Sequence, residues 1–160
     1  MTFQIQPLPL DPFEALFALD DDALAERGAR RVRADSYPGF PCRVTLEDAA
    51  PGEEVILANH LHQPANSPYR ASHAVYVRAG ARPARPAPGT VPDMLQRRTL
   101  ALRGFDADGM MATADIVEGP DLAGCLDRVL SDPEIAYAHI HFAARGCYAA
   151  RAVRAEEDRE

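Results

Sequence analysis

The apolar residues of this chain fall in short runs that proline, glycine and aspartate repeatedly interrupt. Such runs, with alternating apolar and polar positions and turn residues on both sides, are typical of β-strands. The runs at 98–105 and 110–118 flank the turn sequence Asp106–Gly109, and this arrangement predicts a β-hairpin. A second hairpin is predicted from the runs at 135–142 and 147–153, which flank a turn at 143–146.

Helical patterns are fewer and shorter than the strand patterns. The best one spans 120–130, where apolar residues at helical spacing share one face before Pro133 ends the pattern. Several antiparallel strands with few helices predict the α+β class. We expect a mainly antiparallel sheet, or alternatively a partly open barrel, with two to four short helices.

Composition limits both the architecture and the partners. At 160 residues, with 47% hydrophobic residues, the chain fits a single domain, predicted over 1–154 and followed by a charged tail at 155–160. Acidic residues number 24 against 17 Lys and Arg, so the basic footprint of a nucleic-acid-binding protein is missing. No apolar stretch approaches the ~20 residues of a membrane-spanning helix, and no signal peptide is evident. Cys42, Cys125 and Cys147 include no CxxC pair and predict no disulfide framework, so we expect a cytoplasmic location.

One strand prediction concerns an arginine. Residues 41–47 alternate, so Cys42, Val44 and Leu46 would share the apolar side of a strand. Arg43 would then lie on the polar side of the same strand. The alternation therefore makes Arg43 available to a polar site.

The strongest functional indication is the clustering of histidines. All five lie in three short segments, at 59–64, 68–73 and 137–141. Side chains two residues apart on a strand point to the same face, so His139 and His141 are predicted to lie side by side, with Ala138 and Ile140 toward the core. Arginines and tyrosines occur in or near the same segments, which favours a polar pocket.

Our leading interpretation is a pocket that binds a small anionic molecule, with or without catalysis. Two arginines in one cavity would form a fork for carboxylate or phosphate, and Arg43 and Arg70 are the predicted anchors. A histidine could act there as general acid or base, with His73, His139 and His141 as candidates. This interpretation needs no metal and names no cofactor. We expect at least four of the predicted ligand-binding residues to share one concavity: Arg43, His62, Tyr69, Arg70, His73, His139, His141 and Arg151.

Three alternatives remain open at this point. His139 and His141, completed by His73 or His62, could hold a catalytic metal ion with one position open for water, although no acidic residue lies beside either pair to orient the rings. Cys147, next to a turn, could be a nucleophile with a lowered thiol pKa, or simply a packing residue. A non-enzymatic protein-interaction or homodimer module is the third alternative, which an exposed apolar sheet face without a deep pocket would favour.

Several short motifs, taken together, resemble a known family. They are Pro41–Val44 followed by Pro51–Glu53, His62–Pro64, Pro68–Ala74, Arg103 with Phe105–Asp106 and Gly109–Met111, and His139–His141 with Gly146–Arg151. These motifs are similar to those of the bacterial family called domain of unknown function 1203, over roughly residues 3–154. The resemblance implies a shared compact domain and no particular activity, cofactor or ligand. The family commonly has asparagine where this chain has Phe142, so that amide is missing here.

Overall fold

The computed structural model describes residues 2–156, which form two five-stranded sheets and four short α-helices. The strands are β1 (Phe3–Gln6), β2 (Arg30–Arg33), β3 (Pro41–Cys42), β4 (Glu47–Asp48), β5 (Glu54–Gln63), β6 (Ala71–Arg78), β7 (Thr99–Phe105), β8 (Met111–Glu118), β9 (Tyr137–Phe142) and β10 (Tyr148–Arg154). The helices are α1 (Asp11–Glu14), α2 (Asp21–Glu26), α3 (Asp93–Gln96) and α4 (Leu122–Leu130), with 3₁₀ turns at Ala15–Ala18 and Gly119–Asp121. This combination confirms the α+β class. No helix within 2–156 is long and apolar enough to cross a membrane. Most of the predicted charged tail lies outside the described residues.

The first sheet has the strand order β1-β10-β9-β7-β8, and its neighbouring strands are all antiparallel. Both predicted hairpins belong to it, since β7 pairs with β8 and β9 pairs with β10. One face of the sheet packs against α4, where Leu122 and Leu126 are buried with Leu102 and Ile140 of the strands. Burial of side chains of this size stabilises the fold by about 1.5–3 kcal/mol each. The opposite face contains the histidines of β9.

The second sheet has the order β2-β5-β6-β3-β4, in which only the β3–β6 pair is parallel among the described strands. Its apolar residues Ile56 and Val75 pack with Phe13 of α1 and Leu24 of α2. Tyr148 of the first sheet belongs to the same cluster, so the two sheets meet there. Each sheet keeps two edge strands, and neither closes into a barrel.

The strand predicted over residues 41–47 is wrong. β3 ends at Cys42, residues 43–46 form a turn, and β4 begins at Glu47. The Leu46 amide donates to the Cys42 carbonyl oxygen at 2.9 Å, and Leu46 has φ of 55°, which interrupts extended backbone. Arg43 therefore does not lie on a polar strand face, and only 2% of it is exposed. Alternation failed as a guide because consecutive side chains of this turn are buried, Arg43 together with Cys42 and Val44.

Gly119 allows the segment before α4 to pack closely against α3. A Cβ atom at this position would overlap the backbone carbonyl oxygens of Leu95 and Gln96. We expect Gly119→Ala to lower the free energy of unfolding by about 1–3 kcal/mol, because backbone atoms cannot move aside as a flexible side chain can. Urea unfolding of the variant and the wild-type protein measures this difference.

Gly124 provides the matched control for Gly119. It lies inside α4, and no atom would contact a Cβ added there. Gly124→Ala should raise the free energy of unfolding by about 0.5–1 kcal/mol, because alanine restricts the unfolded chain more than glycine does. Equal effects of the two substitutions would contradict the close packing described for Gly119.

Candidate functional site

Four of the five histidines meet where the two sheets face each other. His62 of β5 and His73 of β6 belong to the second sheet, whereas His139 and His141 of β9 belong to the first. The His62 ring is central, since its centroid lies 4.9 Å from that of His73, 5.7 Å from that of His139 and 5.1 Å from that of His141. The fifth, His60, contacts Phe13 instead, at a centroid distance of 5.3 Å.

Local strand geometry explains how these rings come together. His139 and His141 share one face of β9, as alternation predicts, and are 3% and 0% exposed. On β5 the pairing with β6 shifts register between Leu61 and Gln63, which leaves His62 as the extra residue of a β-bulge. A bulge redirects a side chain, and here His62 and its neighbour Gln63 are both buried. The bulge therefore directs His62 toward the first sheet.

Three of the rings are arranged as ligands for one ion. A ring nitrogen from each of His62, His139 and His141 lies within 4.8 Å of those of the other two. Within residues 2–156, each of these rings also has one buried nitrogen without a hydrogen-bond partner: His62 Nδ1, His139 Nδ1 and His141 Nε2. A buried polar atom left in this state costs roughly 1–3 kcal/mol, and a bound ion is one of the usual reasons for it. The triad can therefore hold a metal ion.

The other nitrogens of two rings have hydrogen-bond partners that support this assignment. His141 Nδ1 donates to the Gly146 carbonyl oxygen at 2.8 Å, so the lone pair of this ring is on Nε2. His62 Nε2 lies 2.7 Å from His73 Nδ1, and when His62 donates in this bond its own lone pair is on Nδ1. A backbone carbonyl that holds the N–H of a histidine is a common outer support of metal sites. The carbonyl thus replaces the orienting carboxylate that the sequence does not provide.

Burial keeps the three imidazoles neutral at physiological pH. Desolvation, reinforced by the neighbouring histidines, lowers the pKa of His62 to about 3. Desolvation likewise lowers the pKa of His139 to about 3 and that of His141 to about 4, the latter against the opposing effect of the Gly146 hydrogen bond. A neutral imidazole can bind a metal ion without first losing a proton. The triad is therefore in its ligating form at pH 7.

A cavity of about 480 Å³ lies beside the triad. His62 and His139 line it together with Tyr137, Tyr148 and Arg151, and the remaining lining residues are Gln6, Pro7, Leu8, Pro9, His60, Leu61, Gln63, Pro64 and Ala65. The Tyr148 ring stacks on His62 at a centroid distance of 4.9 Å and an angle of 14°. A volume of this size is typical of small-molecule sites. A molecule in the cavity would be next to two of the three histidines.

Three of the eight residues predicted to bind a ligand line this cavity, namely His62, His139 and Arg151. His73 and His141 contact His62 without lining it.

Arg43 lies outside this cavity. Its guanidinium donates to the carbonyl oxygens of Tyr148 and Pro41, at 2.8 and 2.7 Å, and lies 4.9 Å from the centre of the Phe142 ring. Burial lowers the pKa of Arg43 to about 10. The described contacts thus link Arg43 to backbone at the meeting point of the sheets.

The other predicted site residues belong neither to the triad nor to the lining of the cavity beside it. Tyr69 and Arg70 lie in the loop before β6, where both are exposed and Arg70 donates to the Pro64 carbonyl oxygen. Cys147 lines a different cavity, and its Sγ donates to the Arg145 carbonyl oxygen at 3.9 Å. Of the predicted site residues, the four clustered histidines and Arg151 therefore lie together, whereas Tyr69, Arg70 and Cys147 do not belong to that group.

Arg103 and Tyr148 also belong to the site, although the sequence patterns did not predict them there. Arg103 of β7 lies directly opposite His139 of β9, and its positive charge contributes to the lowered pKa of all four clustered histidines. Both residues belong to motifs of the family resemblance, Arg103 to the one with Phe105 and Tyr148 to Gly146–Arg151. The signal that would find Arg103 is its cross-strand partner, which requires the β7–β9 register.

Comparison with known proteins identifies a family and adds no activity. The family model described as "Protein of unknown function (DUF1203)" matches residues 39–154. No curated protein and no solved structure matches the chain.

The lowered histidine pKa values predict that the metal-free protein loses stability as the pH falls below 6.5. In the unfolded chain histidine binds a proton near its ordinary pKa of 6.5, whereas the folded triad stays neutral down to about pH 4 to 3. The unfolded state then binds more protons, so the free energy of unfolding falls by roughly 1.4 kcal/mol per pH unit for each such histidine. Urea unfolding at pH 7, 6 and 5 measures this slope. If His139→Gln left this slope unchanged, the lowered pKa of His139 would be contradicted.

Proposed function

Since this chain belongs to the DUF1203 family, whose function is unknown, we propose a function from the site itself. His62, His139 and His141 bind one divalent transition-metal ion and leave a coordination position open toward the cavity. The observation that supports this proposal is that three buried rings each bring a nitrogen within 4.8 Å of the other two, and that each ring also has a buried nitrogen without a hydrogen-bond partner within residues 2–156. The third ligand is His62 and not His73, and the hydrogen bond between the two rings lets His73 orient His62.

The ligand set indicates which metals fit. Imidazole nitrogen suits zinc, copper, iron and nickel, whereas calcium and magnesium prefer oxygen ligands. A tetrahedral zinc ion with zinc–nitrogen distances of 2.0–2.1 Å places its ligand nitrogens about 3.4 Å apart. The nitrogens of the triad lie within 4.8 Å of each other, a limit that includes this separation. Zinc is the metal that we propose for the site.

The number of ligands favours a catalytic site over a structural one. Structural zinc sites have four protein ligands, whereas catalytic sites have three and keep one position for water or substrate. His62 and His139 line the cavity, so the open position would be accessible to a small molecule. When bound, the metal would activate water or polarise a carbonyl group. We therefore propose that the protein is a metal-dependent enzyme that acts on a small molecule.

Metal content tests this proposal directly. Protein purified without a histidine tag, stripped with a chelator and reloaded with Zn²⁺, should bind one ion per chain by elemental analysis and calorimetry. His139→Gln or His141→Gln should weaken binding roughly 100-fold or more, because the loss of a ligand exceeds the loss of an outer support. Circular dichroism of each variant verifies that it is folded.

His60→Gln is the matched control for these variants. His60 is on the same strand as His62 and lines the same cavity, but it is outside the triad and contacts Phe13. This variant should bind Zn²⁺ as the wild-type protein does. Wild-type protein that binds neither Zn²⁺, Co²⁺, Ni²⁺ nor Cu²⁺ stoichiometrically would refute the metal centre.

His73 is proposed as a positioning residue for His62. Its Nδ1 accepts the N–H of His62 in the tautomer that leaves His62 Nδ1 free. We expect His73→Ala to lower Zn²⁺ affinity roughly 10- to 100-fold while the stoichiometry stays at one ion per chain. His73→Asn, which can still accept a hydrogen bond, should restore part of the affinity. If His73→Ala abolishes binding altogether, His73 is a ligand and this role is wrong.

A further inference from the structure

We propose that the cavity beside the triad accepts a small organic carboxylate, whose charged group binds both Arg151 and the open position of the metal. This inference rests on the proposed metal centre and names the class of molecule on which that centre would act.

Arg151 is held by a series of contacts that begins inside the protein. Its guanidinium carbon lies 4.5 Å from the centre of the Tyr137 ring. Tyr137 stacks on Phe105 at a centroid distance of 5.4 Å, and its hydroxyl accepts a hydrogen bond of 2.9 Å from Gln63 Nε2. Gln63 is only 2% exposed, so this support is fixed. Arg151 itself is exposed, and its stacking on Tyr137 favours a position at the cavity wall before any ligand arrives, which lowers the cost of binding.

Strand register places two arginines on either side of a ligating histidine. Arg103 of β7 and Arg151 of β10 are both direct cross-strand partners of His139 in β9. Within residues 2–156, neither guanidinium forms a hydrogen bond or an ion pair with another residue. Four other arginines within residues 2–156 do form ion pairs with carboxylates, namely Arg31, Arg78, Arg98 and Arg128.

The positive charge of the proposed site favours an anionic ligand. Imidazole binds a metal ion in its neutral form, so the three histidines would not compensate the charge of a divalent ion, and Arg103 and Arg151, the cross-strand neighbours of His139, add further positive charge. Each unit of charge left without a counter-charge in a partly buried site is unfavourable. A bound anion would neutralise part of this charge. The protein as a whole has a net charge of −7, so this positive patch is a local feature.

The shape of the guanidinium and the cavity wall specify the anion. A planar guanidinium matches a carboxylate in a bidentate pair. The cavity is also lined by Pro7, Leu8, Pro9 and Tyr148, so the body of the ligand would contact mainly apolar surface. A compact carboxylate with an apolar or aromatic body fits both features.

The Co²⁺-loaded protein provides a direct test, because ligands that reach the metal change its visible absorption. We expect benzoate to change the spectrum and to bind at least 10-fold more tightly than benzamide, which has the same shape without the charge. Arg151→Gln should weaken benzoate binding roughly 10- to 100-fold with the Co²⁺ stoichiometry unchanged. Arg30→Gln, an exposed arginine of the second sheet, is the matched control and should have no effect.

The possible failures can be told apart. If the wild-type protein does not bind Co²⁺ or Zn²⁺, the metal centre is refuted, and the carboxylate inference with it. If the metal binds but benzamide competes as well as benzoate, or Arg151→Gln leaves benzoate affinity unchanged, only the carboxylate inference is overturned. Tighter binding of phenyl phosphate than of benzoate would likewise overturn the carboxylate assignment.

Discussion

The contact of His62 with His139 and His141 joins the two sheets at a polar point, and the candidate site depends on it. Most of the surface between secondary-structure elements is apolar and would pack without directional partners. Here imidazoles meet across the sheets, with Tyr148 stacked on His62. Polar groups buried in this way specify a geometry that apolar residues would not. The histidine cluster therefore adds directional contacts where the sheets meet, beside the packing of Tyr148 and the hydrogen bond of Arg43 to its carbonyl oxygen, and it would also provide the ligand nitrogens.

Stability and function oppose each other in such a cluster. Three buried nitrogens without partners destabilise the metal-free fold, and protonation of the rings in acid would destabilise it further. A ligand that binds the folded state alone offsets this cost in proportion to its concentration and affinity. Metal binding and folding are therefore coupled in the proposed site. The same coupling explains why a cost of this kind can persist in a protein that has a well-packed apolar core elsewhere.

The sequence predicted those features that depend on short-range patterns. The α+β class, both hairpins, α4 and the shared face of His139 and His141 follow from alternation, helical spacing and turn residues. Features that depend on irregular backbone or strand register were not predictable in this way. The bulge at His62 breaks alternation without a proline or glycine to mark it, and the turn at 43–46 imitates a strand. Arg103 becomes visible as a neighbour of His139 only when β7 and β9 are paired.

The same limitation explains why the arginines were assigned differently from the sequence and from the structure. Alternation placed Arg43 on a polar face, where it would anchor an anion, whereas its described hydrogen bonds go to backbone carbonyl oxygens. An arginine bound to carbonyls in the interior supports the local fold. Arg151 lines the histidine cavity and is held on an aromatic ring, and no acid partner is present within 2–156. An anion site and a metal site, which were alternatives for the sequence, thereby become two parts of one proposed centre, because neutral ligands leave the charge of the metal to be balanced by what it binds.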